Sequence, residues 1–275
     1  MSTSEIIEAT PEIDLRLSKA ELDARREHIT EFVCETVEDA GADGAVLGLS
    51  GGIDSTLTAY LASEALGAGR VHGLVMPSEV NNGENMSDAE RVARTLELEH
   101  DVIEIEPIVE GFLGAFPEAR GDRTAAGNVR VRTRAVLNYL VANHENRLVL
   151  GTGNRSEAMA GYYTKYGDQA VDCNPIGNLY KLQVRQLARH IGVPDDLVGK
   201  PSTAGMWIGQ TDEEEMGISY DLIDPVLALH IDGPLSKAAT VRTLDVGPEV
   251  IERVVELNSR SEHKRHMPPA PTPLD

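Results

Sequence analysis

Residues 44–67 read GAVLGLSGGIDSTLTAYLASEALG. An unbroken apolar run passes through a serine and a glycine pair straight into a helix-forming segment that closes at Gly67. A run without polar alternation marks a strand buried on both faces, which requires layers of helix above and below it. The alternation recurs along the chain. RVHGLVM (70–76) is a second strand halted by Pro77, and SDAERVARTLELE (87–99) is a helix capped by Ser87. HDVIEIE (100–106) reads as a third strand, NVRVRTRAVLNYLVANHE (128–145) as a helix and RLVLGT (147–152) as a fourth strand. LDARREHITEFVCETVEDAG (22–41) supplies a helix ahead of the first strand. Strands alternating with helices predict an α/β fold, a doubly wound parallel sheet with flanking helices. Beyond residue 180 the pattern is mainly helical. One domain is expected over 1–275, with an N-terminal extension at 1–20 and an irregular proline-rich tail at 268–275.

In open α/β sheets ligands sit beyond the carboxyl ends of the strands. Two glycine-bearing segments fall there: SGGIDS after the first strand and GTGNRSE after the fourth. The first contains Gly48-x-Ser50-x-Gly52, which also fits the elbow that presents a hydrolase nucleophile. That reading needs a later acid and histidine, and Asp172 and His263 satisfy the order. Against it, no His-Gly-Gly segment precedes Ser50, and Asp54 would raise the energy of a developing oxyanion. A plain glycine turn is the bland alternative. The favoured reading is an anion cradle. Gly51 and Gly52 let backbone N–H groups converge, Ser50 and Ser55 add hydroxyl donors, and the next helix offers its positive end. A carboxylate at Asp54 beside phosphate calls for a cation between them, and Mg²⁺ prefers that mixture of ligands. There is no Walker Gly-x-x-x-x-Gly-Lys-Ser/Thr sequence.

Composition restricts the partners. The chain carries 25 basic and 45 acidic residues, a net charge of −20, with the acids spread from end to end and six lysines in all. Such a surface repels nucleic acid, and no apolar run is long enough to span a membrane. It suits a high-salt habitat, where the self-repulsion of carboxylates is screened. Cys34 and Cys173 are too few for a disulfide framework, and the N-terminus does not read as a signal peptide, so the expected compartment is the reducing cytoplasm.

The block GTGNRSEAMAGYYTKYGDQAVDCNPIGNLYKLQVRQLA (151–188) joins glycines, Glu157, paired tyrosines, Lys165, Asp172 and Lys181. Tyr162 and Tyr163 are candidates to stack on a flat ring, although paired aromatics more often belong to a core. With Arg132 and Arg134 in GNVRVRTR, Thr203 in KPSTAGMW, and His263 and Lys264 in EHKRHMPP, it follows SGGIDS in an order that closely resembles the ammonia-dependent NAD synthetases. SGGIDS by itself resembles the pyrophosphate loop of the wider N-type ATP pyrophosphatases, which adenylate a substrate and release pyrophosphate.

The resemblance runs from about residue 25 to residue 269 and implies an adenine-nucleotide alpha hydrolase-like fold, a homodimer, and amidation of deamido-NAD by ATP and ammonia. It further implies ATP contacts from Gly48, Leu49, Ser50, Gly51, Gly52, Ile53, Asp54, Ser55, Thr152, Lys181 and Thr203. Asp54 and Glu157 correspond to magnesium ligands, and Arg132, Lys165, Asp172, His263 and Lys264 to deamido-NAD contacts. Asp54, Lys181 and Asp172 are the candidate catalytic residues, Asp172 as acceptor of the ammonium proton. Gly153 and Asn154 stand where some relatives have Asp-His, which leaves their roles open. About 45 residues precede the first strand, too few for a glutamine-hydrolysing domain, so free or partner-supplied ammonia is expected. Two other readings compete: another adenylating amidotransferase of the GMP synthetase kind, and a non-catalytic adenine-nucleotide sensor.

Overall fold

The computed structural model describes residues 15–79, 83–207 and 209–272. Residues 1–14 of the expected extension and 273–275 of the expected tail lie outside it. Helix α1 (Lys19–Asp39) opens on a capping box, Ser18 accepting from Glu21 N while Glu21 reaches back. Then come β1 (Gly44–Leu49), α2 (Ile53–Leu66), β2 (Val71–Val75), α3 (Gly83–Thr95), β3 (Glu99–Val102), α4 (Glu106–Ala115), α5 (Arg123–Glu145) and β4 (Arg147–Val149). The rest is helical: α6 (Arg155–Ala160), α7 (Lys181–His190), α8 (Asp195–Val198), α9 (Asp212–Met216), α10 (Tyr220–Val226), α11 (Lys237–Leu244) and α12 (Pro248–Arg260). From His266 to residue 272 the tail has no regular element.

Among the described residues the sheet has four strands in the order β3-β2-β1-β4, all parallel. The pleat sends Ala45, Leu47 and Leu49 of β1 into a core with α1, α2, α3 and α7, while Val46 turns to the opposite core with Ile105, Val109 and Ala142 of the α4–α5 side. Helices thus cover both faces, which is why β1 could be apolar throughout. A third cluster joins Ala160 of α6 to Tyr220, Leu222, Val250 and Ile251 of the C-terminal helices. Among the described residues no helix is long and apolar enough to cross a membrane.

Three boundaries differ from the sequence reading. Ser87 lies inside α3, which begins at Gly83, so it is not the cap; Glu84 and Met86 are good helix formers and carry the helix back a turn. The regular part of β3 ends at Val102, although Ile103 N and Ile105 N still donate to Val75 O and Pro77 O at 2.8 and 3.0 Å. Helix α5 begins at Arg123, where Asp122 caps it by accepting from Thr124 N and Ala125 N. Strand order reverses between β1 and its neighbours β2 and β4, and the crevice that such a reversal opens lies at the carboxyl ends of β1 and β4.

Candidate active site

The turn from β1 into α2 is made by Ser50, Gly51 and Gly52. Gly51 has φ +73°, the left-handed region that glycine enters without steric cost. Ser55 Oγ donates to Gly52 O at 3.1 Å and lies 3.0 Å from Ser50 Oγ; Gly52 N donates to Ser50 Oγ at 3.3 Å. The Ser50 hydroxyl is therefore held by its own loop. The hydrolase constellation is not assembled. Asp172 accepts from Tyr139 OH at 3.0 Å and from Val149 N at 2.7 Å, and the His263 carbonyl accepts from Lys165 Nζ at 2.6 Å.

Asp54, in the first turn of α2, meets two residues from after β4. Asn154 Nδ2 donates to its Oδ1 at 2.8 Å, and Lys181 Nζ donates to its Oδ2 at 2.5 Å. Glu157 completes the group, its Oε1 3.3 Å from Lys181 Nζ. Asn154 also caps α6 in a box with Glu157: Glu157 N donates to Asn154 Oδ1, and Glu157 Oε2 accepts from Asn154 N. One fully buried asparagine thus aims both carboxylates, which gives Asn154 the role the sequence left open. At Gly153 a Cβ would lie 2.1 Å from Gln169 Nε2, the far end of a flexible side chain that can shift, so the space alone does not require glycine there.

Behind the pair stand Asp212 and Tyr220, both buried, with Tyr220 OH donating to Asp212 Oδ2 at 3.0 Å. A further buried acid, Asp224, ties α6 to α7. It accepts from Ser156 Oγ at 2.5 Å and from Leu182 N at 2.8 Å, while Ser156 Oγ accepts from Lys181 N at 2.8 Å. Burial pushes the Asp224 carboxyl up to about 7 against the pull of these hydrogen bonds and of Lys181 and Arg185.

Three carboxylates face one ammonium, and the charges do not balance. Burial pushes the Glu157 carboxyl up, the charge on Asp54 adds to this, and Lys181 only partly opposes it. Burial likewise raises Asp212 against the opposition of Lys181 and Tyr220. Burial works against the Lys181 cation, but Asp54, Glu157 and Asp212 outweigh it and hold its pKa above the ordinary lysine range. The cluster is short of positive charge, and its donors are hard carboxylate oxygens, one of which, Asp212 Oδ1, is buried without a hydrogen-bond partner. That donor set fits Mg²⁺. No three metal-ligating side chains converge on one point among the described residues.

The cluster lies in the wall of a cavity of about 460 Å³. Residues 48–55 line it, as do Thr152, Glu157, Lys181, Thr203, Asp212 and Lys264. Every residue expected to touch ATP is therefore on one cavity. Tyr162 and Tyr163 also line it, Tyr162 OH donating to Glu215 Oε2 at 2.7 Å and Lys264 Nζ lying 5.1 Å from the centre of the Tyr163 ring. Lys264 Nζ also donates to Gly161 O and Tyr163 O, each at 2.7 Å. Arg132, Lys165, Asp172 and His263 do not line the cavity. Arg132, on α5, donates to Lys165 O at 3.1 Å and Lys165 Nζ to His263 O, which links those three, while Asp172 accepts separately from Tyr139 of α5. Arg132 and Tyr139 line a shallow groove with exposed Val136, Leu140 and Tyr166.

A parallel sheet whose first strand turns through a glycine pair into a helix, at a reversal of strand order, defines an adenine-nucleotide-binding α/β protein of the alpha hydrolase-like class. A family model for NAD synthase matches residues 26–268, and the chain belongs to that family. A Halobacterium salinarum protein named NH(3)-dependent NAD(+) synthetase is 61% identical over 259 residues, spanning 94% of this chain and 97% of its own. One of the same name from Hyperthermus butylicus is 50% identical over 246 residues, spanning 89% of each chain. Among solved structures, an NH3-dependent NAD synthetase from Campylobacter jejuni in complex with nitrate aligns with TM-score 0.77 at 33% identity, over 91% of this chain and 99% of its own. An NMN synthetase from Francisella tularensis aligns with TM-score 0.80 at 34% identity, over 93% and 99%.

Proposed function

We propose that this chain makes NAD from deamido-NAD, ammonia and ATP, releasing AMP and pyrophosphate. The observation that carries the reading is the Asp54–Lys181–Glu157 cluster set beside the glycine loop in one cavity. A nucleotide sensor has no need of a charged pyrophosphate exit, and such an exit is what these residues form.

The reaction has two steps. A nicotinate carboxylate oxygen of deamido-NAD attacks the α-phosphorus of ATP, and the bond to pyrophosphate breaks. Ammonia then attacks the acyl carbon of the resulting NAD-adenylate, its surplus proton leaves, and the C–O bond to AMP breaks. The loop supplies backbone donors to the departing pyrophosphate, with the Ser50 and Ser55 hydroxyls once they turn from their partners within the loop, and with the first-turn N–H groups of α2, which have no intrahelical acceptor. Lys181 adds a positive charge, and Thr152 and Thr203 line the same cavity. Asp54 and Glu157 would hold Mg²⁺, which when bound neutralises the phosphates. The rest is positioning of the two reactants. Ser50 forms no covalent bond.

We assign the acceptor contacts to Arg132, Lys165, Asp172, His263 and Lys264. Four of the five lie outside the ATP cavity, and Arg132 among them lines a groove with exposed Val136, Leu140 and Tyr166, which fits a homodimer whose dinucleotide site is completed across the interface. Asp172 can take the ammonium proton only in such a dimer, because within one protomer it lies outside the cavity. Two free cysteines agree with a reducing cytoplasm.

A second acceptor stays in view because of the structural likeness to an NMN synthetase: nicotinate mononucleotide. The test is exchange of labelled pyrophosphate into ATP with deamido-NAD, nicotinate mononucleotide, xanthosine monophosphate or aspartate as acceptor. Exchange with deamido-NAD, followed by NAD formation on adding ammonium, is the expected result. Exchange only with the mononucleotide moves the assignment to that substrate, and no exchange with any acceptor refutes adenylation.

A further inference from the structure

Lys181 holds two carboxylate oxygens that a bound cation would compete for. Its Nζ is 2.5 Å from Asp54 Oδ2 and 3.3 Å from Glu157 Oε1, the two carboxylates assigned above to magnesium. A divalent ion cannot take both oxygens while the ammonium keeps them, because two cations so close repel strongly away from water. Nor can the lysine withdraw to solvent, since its side chain is 1% exposed. It needs another buried anion within reach.

Asp212 is that anion. The residue is 3% exposed and lines the same cavity. Its Oδ2 is fixed by the hydroxyl of Tyr220, itself fully buried, while its Oδ1 is buried with no hydrogen-bond partner, the neighbouring Tyr162 hydroxyl being donated to Glu215. An unpartnered buried carboxylate oxygen is costly and needs a reason. The Tyr220 ring centre is 5.3 Å from Lys181 Nζ, so an aromatic face lies alongside the cation.

We infer that Lys181 is a built-in counter-cation for Asp54 and Glu157, and that Asp212 is the positioning residue that receives it when a divalent ion takes those carboxylates. The unpartnered Oδ1 is the landing point. The exchange keeps charge balanced at both stages. It also couples metal to nucleotide: a bare ion must evict the lysine unaided, whereas ATP phosphates offer the ammonium a further anion beside Asp212. Metal therefore binds better with ATP than without it. This inference rests on the proposed cation site, and its test separates the two.

The probe is Mn²⁺ alone, titrated without nucleotide into the full chain in molar KCl and followed by its electron paramagnetic resonance signal. Lys181→Met should bind Mn²⁺ about tenfold tighter than wild type, although inactive, because a competing buried ion pair has gone. Asp212→Asn should bind about tenfold weaker, as when a metal site loses a supporting partner. In Lys181→Met the added Asp212→Asn change should have little effect, since no lysine is left to receive. Where Lys181→Met melts early in chelator, Mn²⁺ must raise its melting temperature more than it raises that of wild type; a smaller rise overturns the exchange. Equal or weaker Mn²⁺ binding by Lys181→Met, or unchanged binding by Asp212→Asn, overturns it too. If Asp54→Asn and Glu157→Gln leave wild-type Mn²⁺ binding unaltered, the cation site itself is refuted and this inference falls with it.

Discussion

Replacing Asp224 by Asn should change stability in a way that depends on pH. The carboxylate is fully buried and joins the element carrying Glu157 to the one carrying Lys181, through Ser156 and Leu182 N. An amide of the same shape can accept from only one of these two donors, and its NH₂ then faces the other. One buried donor is left unsatisfied, at about 1–3 kcal/mol. The carboxylate carries a burden that the amide lacks. Burial raises its folded pKa from 3.8 to about 7, so the folded state holds the proton more tightly than the unfolded state. The stability this confers is complete below the unfolded pKa and is lost as pH rises through about 7. Between about pH 5 and about pH 7 the unfolded carboxyl is ionised and the folded one is not, which amounts to about 3 kcal/mol at about 1.4 kcal/mol per pH unit. For a chain of this size that is roughly 6–10 °C in melting temperature. Thermal unfolding of both proteins in molar KCl, at about pH 5 and about pH 8, isolates this residue from the many other carboxylates, which are common to the pair. The gap by which wild type exceeds Asp224→Asn should narrow by that amount at the higher pH. A gap that stays constant would refute the reasoning.

Two further outcomes follow from the same structure. With net charge −20, the protein should melt at rising temperature as KCl is raised from about 0.1 M to about 1 M, where the Debye length falls from about 10 to about 3 Å; a flat or falling series would give the acidic surface another purpose. Lys165→Ala removes a cation that lies outside the ATP cavity, so it should raise KM for deamido-NAD about tenfold or more, the loss of a charged hydrogen bond, and leave KM for ATP nearly unchanged; equal effects on both substrates in steady-state kinetics would remove it from the acceptor site.

Strands β1 and β2 were legible because they are apolar runs stopped by glycine or proline and buried on both faces; β3, largely exposed at the edge of the sheet, was legible only from its place in the strand–helix alternation. Helix α4 was not: in IEIEPIVEGFLGA the acid–apolar alternation reads as strand, yet Pro107 at the start of the helix ends that ladder. The turn from Ser50 to Ser55 could be read as part of a site from its glycines, hydroxyls and acid in sequence, and it lines the cavity. Asn154 was within reach, because Asn-x-x-Glu at 154–157 is a capping pattern; its reach across to Asp54 was not, since 100 residues separate the two. Asp212 and Asp224 were invisible. They stand in TDEEEMGISYDLID among Glu214, Glu215 and Asp221, which are exposed, and only the packing of α9 and α10 against α6 and α7 decides which acids are buried.

The central claim is that the nicotinate carboxylate itself attacks the α-phosphorus, and the oxygen it carries is a direct witness. Deamido-NAD labelled with oxygen-18 in that carboxylate should be incubated with the protein, ATP, magnesium and ammonium, and the products weighed by mass spectrometry. The bridging oxygen must leave with the nucleotide, so AMP should carry one labelled oxygen and NAD should keep the other. Labelled phosphate released together with ADP, or AMP without label, would contradict the account.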